Sequence, residues 1–97
     1  MPTYINLLNW TDEGIRGFKG ALDRASAARE LAERLGGTVK ADYWTIGPYD
    51  VVAVTEFPDD EASTAFLLAI GAQGNARTIT LRAFDHDEME RVIAKAG

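Results

Sequence analysis

The stretch Trp44-Thr45-Ile46-Gly47-Pro48-Tyr49-Asp50-Val51-Val52-Ala53-Val54 constrains the fold more tightly than any other part of the chain. An aromatic strand end runs into a Gly-Pro corner and leaves it as a β-branched run. Pro48 fixes its own φ and biases Gly47 away from the helical region, so the backbone turns before Asp50. The flanking segments, Thr38 to Ile46 and Val51 to Phe57, are therefore expected to pair as an antiparallel hairpin. Val51, Ala53 and Phe57 oppose Val52 and Val54, which makes the second of these strands apolar on both faces and places it inside a sheet.

Thr3 to Trp10 reads the same way, with Ile5 and Leu7 on one side and Tyr4, Leu8 and Trp10 on the other. Thr11 is suited to cap a helix and Asp12 and Glu13 to its positive end, but Gly14, Gly17 and Gly20 limit that segment to a short helical turn and a loop. A longer helix is predicted from about Leu22 to Leu35, where Ala25, Ala28, Leu31, Ala32 and Leu35 recur at helical spacing; Arg29 with Glu33 and Glu30 with Arg34 are i,i+4 pairs on its wet side. Gly36-Gly37 supplies a left-handed stop. Pro58-Asp59-Asp60-Glu61 opens a further helix with an apolar stripe of Ala62, Ala65, Phe66, Ala69 and Ile70, closed by Gly71 and Gly74. Arg77 to Phe84 is the fourth strand. Asp85 and Glu88 form an acidic variant of the capping box, and Met89, Val92, Ile93 and Ala96 are the expected inner face of a last helix.

The resulting order, βαββαβ and a C-terminal helix, closes through right-handed crossovers into an α+β, ferredoxin-like antiparallel sheet of order 4-1-3-2, a single domain over residues 1–97. The chain's own helices cover one side of such a sheet. Its first and third strands are apolar on both sides, so a second copy is expected to cover the other, as a homodimer with stacked sheets.

Composition removes several classes of function. A net charge of −5 argues against nucleic acid, which selects a positive surface. The absence of cysteine excludes disulfides, thiolate metal sites and a Cys nucleophile, and a single histidine, His86, excludes a multi-His site within one chain. No phosphate loop or other cofactor signature is present, so neither a metal nor a cofactor is expected. Met1-Pro2-Thr3-Tyr4 leads straight into strand-like sequence, and no apolar run reaches the ~20 residues that span a bilayer. A cytoplasmic protein without membrane contact is expected.

Three separated blocks then carry a resemblance over nearly the whole chain. They are Asn9-Trp10-Thr11 with Gly14-Ile15, then Gly47-Pro48-Tyr49-Asp50, then Gly74-Asn75 leading to Arg77-Thr78 and Leu81-Arg82-Ala83-Phe84. Together they resemble the GYD-domain proteins, whose Gly, Tyr, Asp signature this chain carries as Gly47, Tyr49 and Asp50. The resemblance implies a dimeric α/β-barrel of the ferredoxin-like kind and a family without an established activity.

Two constellations are candidates for ligand binding. Tyr49 and Asp50 place a phenol beside a carboxylate, which suits acid/base or orienting work; a structural corner, with Asp50 accepting backbone N–H groups, is the competing reading. Trp10, Tyr43 and Trp44 with Asn6 and Asn9 offer the aromatic walls and amides of a small apolar pocket; the competing reading puts these aromatics in the core or a dimer interface. His86, among Asp85, Asp87 and Glu88, reads as a solvated surface group, and Arg77 and Arg82 as edge-strand cations paired in water. The leading expectation is a homodimeric small-molecule binding module without catalysis. Its alternatives are a cofactor-independent, monooxygenase-like enzyme on a small, partly aromatic substrate, and a structural oligomerisation domain.

Overall fold

A computed structural model describes residues 1–97. The elements are strand β1 (Thr3–Trp10), helix α1 (Asp12–Arg16), a 3₁₀ turn (Phe18–Gly20), helix α2 (Ala21–Arg34), strands β2 (Thr38–Trp44) and β3 (Val51–Glu56), helix α3 (Asp60–Ala72), strand β4 (Ala76–Ala83) and helix α4 (His86–Ala96). The four strands form one antiparallel sheet of order β2-β3-β1-β4, which is the expected 4-1-3-2 order of a ferredoxin-like fold.

Local chemistry explains most of the boundaries. Thr11 caps α1 by accepting the Gly14 N–H, and α2 stops at Gly36, whose φ of 82° is left-handed. There the Gly36 N–H bonds Glu33 C=O at 3.0 Å and the Gly37 N–H bonds Ala32 C=O at 2.9 Å, the paired bonds of a Schellman motif. Asp59 caps α3, and Asp85 with Glu88 forms the reciprocal capping box of α4. β2 ends at Trp44 rather than Ile46, because Thr45 turns to bond the corner, its N–H to Asp50 C=O and its Oγ1 to Tyr49 C=O. A register shift between Val39 and Ala41 leaves Lys40 outside the pairing.

Strand alternation divides the sheet into two unlike faces. The face carrying Tyr4, Asn6, Leu8 and Trp10 lies under α2 and α3. Its core sits toward one end, where Tyr4, Val39 and Phe57 meet Ala32 of α2 and Phe66 of α3. Phe57 is fully buried; its ring centroid lies 6.3 Å from that of Tyr4 and 5.2 Å from that of Phe66. The Tyr4 hydroxyl donates to Asp60 Oδ1 at 2.5 Å, and burial with that bond pushes its pKa up to about 12. Phe66 also sets the rotation of α3. Ser63, Phe66, Leu67 and Ile70 turn inward while Ala65 is exposed, a shift from the stripe predicted with Ala65 in it. Burying an aromatic ring outweighs burying a methyl group. Arg29 likewise departs from the predicted helix pairing: it reaches across to β2 and bonds Asp42 at 3.0 Å and Val39 C=O at 3.0 Å.

The other face of the sheet is uncovered. Ile5 and Leu7 of β1 pair with Val54 and Val52 of β3 and with Leu81 and Ile79 of β4, and Tyr43 of β2 lies beside Val52. Tyr43, Ile79 and Leu81 are among the exposed large hydrophobic residues. α4 is equally bare. None of its residues is buried, and Met89, Val92 and Ile93 are exposed. The stripe predicted as an inner face is only partly covered within the chain. The projecting helix lengthens the molecule to 50 × 30 × 18 Å. The radius of gyration is 14.5 Å, against about 12–13 Å for a compact chain of this length.

Candidate functional site

Between the sheet and helices α2 and α3 lies a cavity of about 120 Å³, which Phe66 and Val39 of the core cluster border and which extends from there toward Trp10 and Trp44. Small side chains account for it. Ala21, Ala25 and Ala28 recur along the inner side of α2, opposite Ala53 of β3 and Ala76 of β4, so large rings hold the layers apart at one end and methyl groups line the other. The lining is mainly apolar, with Leu8, Trp10, Trp44, Phe66 and Ile70 supplying its bulk. Trp44 is 42% exposed, so this end of the lining reaches solvent.

Alternation sorts the candidate residues. Asn6, Trp10 and Trp44 line the cavity. Asn9 and Tyr43 stand on the opposite, uncovered face, where Asn9 pairs with Arg77 and Tyr43 with Val52. Tyr49 and Asp50 belong to the corner. Asp50 donates its N–H to Leu8 C=O at 2.8 Å and its carboxylate accepts the Trp10 N–H at 2.9 Å, so it ties the corner to the last residues of β1. That bond positions the backbone of a cavity-lining tryptophan. Asp50→Ala is expected to lower folding stability by about 1–2 kcal/mol, the cost of leaving a half-buried amide without its charged acceptor. Urea unfolding measures it; unchanged stability with altered ligand affinity would instead make Asp50 a ligand contact.

Several polar groups of the lining already have partners within the chain. Asn6, 2% exposed, donates from Nδ2 to Thr55 Oγ1 at 3.0 Å and accepts from Thr80 Oγ1 at 2.8 Å. Arg24 donates to Gly17 C=O at 2.8 Å and Gly14 C=O at 3.2 Å, and Asp42 is paired with Arg29. Thr78, Gln73 and Asn75 add a hydroxyl and two amides to the lining. Of these polar lining residues only Asn6 is among the ligand candidates read from the sequence. The run of alanines at helical spacing is legible too, but a small inner face reads equally as close packing. The charged candidates lie outside the cavity. His86 is 3.9 Å from Asp87 with both side chains exposed, while Arg82 stacks over Phe84 at 4.6 Å and lies 3.8 Å from Glu88.

The sequence model of the GYD domain matches residues 4–93. The chain belongs to the GYD-domain family. A curated relative of this GYD domain from Thermus thermophilus is named glutamine synthetase and cystathionine beta-lyase binding protein; it is 34% identical over 84 residues, which span 86% of this chain and 88% of the relative. A solved structure, that of TTHA0845 from Thermus thermophilus, superposes with a TM-score of 0.56 at 29% identity, covering 88% of this chain and 95% of that one. Tyr49 and Asp50 lie in a β-hairpin corner that is bonded to the end of β1. No helix of this GYD domain is long and apolar enough to cross a membrane.

Proposed function

We propose that this GYD-domain protein is a homodimeric, cytoplasmic binding module that holds a small, largely apolar molecule between its sheet and helices without transforming it. The observation that carries the reading is the alanine-walled cavity itself, flanked by Trp10 and Trp44. A void of about 150 Å³ lined by apolar groups binds benzene-sized guests in a well-studied case, and about 120 Å³ with an outlet at Trp44 is of that order. Binding rather than catalysis is favoured because Asn6 spends its amide on Thr55 and Thr80, and Arg24 and Asp42 have partners of their own. The one strongly shifted group, Tyr4, sits at the other end of the covered face and stays protonated below about pH 12.

The homodimer is supported by the apolar, uncovered sheet face of Ile5, Leu7, Val52, Val54, Ile79 and Leu81. Only 10 of 97 residues are buried in the isolated chain, which leaves that surface in search of a cover. A second reading, in which other proteins are the partners, draws on the printed name of the Thermus relative, which names two enzymes that it binds.

Indole and small alkylbenzenes are the test probes. They are expected to raise the melting temperature through preferential binding to the folded state, and Ala25→Leu, which grows into the void, is expected to keep the fold and weaken probe binding at least tenfold. No thermal shift with any of these probes would refute the cavity reading. So would a shift that Ala25→Leu leaves intact.

A further inference from the structure

The chain carries two apolar surfaces that it does not cover, and each has the shape the other lacks. One is the open sheet face; the other is the stripe Met89, Val92, Ile93 and Ala96 on α4. The i, i+3, i+4, i+7 spacing puts those four side chains on one side of the helix, with Asp87, Arg91 and Ala94 opposite. Such a pattern is the mark of a helix that packs on another surface. Within the chain it is covered only in part, with Met89 44%, Val92 39% and Ile93 60% exposed, and the helix is not a loose tail. The Asp85–Glu88 capping box fixes its first turn, and Arg82 of β4 lies 3.8 Å from Glu88 in that turn, so the start of the helix is tied to the end of β4.

We propose that α4 is a clasp in the homodimer: its apolar stripe packs on the flank of the open sheet face of a second copy, and the partner's helix does the same in return. The clasp presupposes the dimer suggested above. Area favours a second copy as the occupant. Four strands about 4.8 Å apart and about seven residues long present a footprint near 440 Å², and a helix of eleven residues about 16 Å long and 10 Å wide adds roughly 160 Å². Stable interfaces bury about 800 Å² of accessible surface per partner. Together the two footprints, about 600 Å² in projection and more in accessible surface, are of the order that a second copy needs. A two-fold axis makes the arrangement self-complementary, since every chain brings one stripe and one face. Stacked sheets also diverge at their corners, because each is twisted and they cross at about 30°, and a helix fills the wedge so opened.

Sedimentation equilibrium of the full chain, of Ile93→Asp and of Ala94→Asp tests the clasp. The same charge is added one residue apart, on the stripe and opposite it. Ile93→Asp is expected to raise the dimer dissociation constant by about 100-fold or more, because symmetry loses the contact twice, while Ala94→Asp leaves it within a few-fold. Because the chain has no cysteine, Ala96→Cys can also carry a benzophenone maleimide as a unique photo-crosslinker. In a mixture of ¹⁴N and ¹⁵N chains, adducts joining the benzophenone on α4 to sheet peptides of the other isotope support the clasp. Adducts confined to one chain, or none to the sheet, overturn it. A parent chain that is monomeric at micromolar concentration overturns the dimer and the clasp together; a dimer indifferent to Ile93→Asp overturns the clasp alone.

Discussion

Phe57→Ala is expected to lower the free energy of unfolding by about 3–5 kcal/mol, the range measured when a buried aromatic is cut back to a methyl group. Phe57 follows β3 and is wholly enclosed, with its ring against Tyr4 and Phe66 and its N–H bonded to Pro2 C=O. The ring is also a spacer: removing it lets the sheet and α3 close on one another, or leaves a void beside the cavity already present. A small domain has only about 5–15 kcal/mol of net stability, so the variant is expected to be partly unfolded at 37 °C. Urea denaturation followed by tryptophan fluorescence gives the value, and a loss below about 1 kcal/mol would show that the core is not centred on this ring.

The second large effect is expected at Gly14. A Cβ built there would lie 1.9 Å from the carbonyl oxygen of Asn75, a backbone atom with no rotamer to adopt. That carbonyl accepts the Thr11 N–H at 3.1 Å, and Thr11 Oγ1 donates to Gly74 C=O at 2.6 Å, so α1 is clamped against the turn that starts β4. Gly14→Ala must push the two segments apart and break the clamp, at a cost of about 3 kcal/mol, the upper part of the range for forced overpacking. Because Asn75 and Ala76 line the cavity, ligand affinity is expected to fall with stability. Gly71 is the matched control. It lies in α3 with open space where its Cβ would be, so Gly71→Ala is expected to gain up to about 1 kcal/mol of helix propensity. Equal unfolding midpoints for the two variants would remove close approach as the reason for a glycine at position 14.

The sequence by itself determined the elements and their order, because the signals are local. The Asp85–Glu88 box, the Gly36-Gly37 stop and the Gly47-Pro48 corner act over a few residues, and each is found where its chemistry requires. Alternation also separates Asn6 and Trp10 from Asn9, and Trp44 from Tyr43, so the division of those candidates between two faces was legible once the strands were placed. Asp50 was legible as a corner acceptor but not in its choice of Trp10 N–H, a partner forty residues away in the chain. The cavity was not legible. Its volume depends on the distance between layers, which the rings of Phe57 and Phe66 set at one end of the sheet while Ala21, Ala25 and Ala28 face the other. The same alanines in a closer-packed layer would enclose nothing. Nor does periodicity identify what an apolar stripe faces: Met89, Val92 and Ile93 have the spacing of a buried helix and stay partly exposed, because only the direction in which α4 leaves β4 decides whether its own chain can reach it.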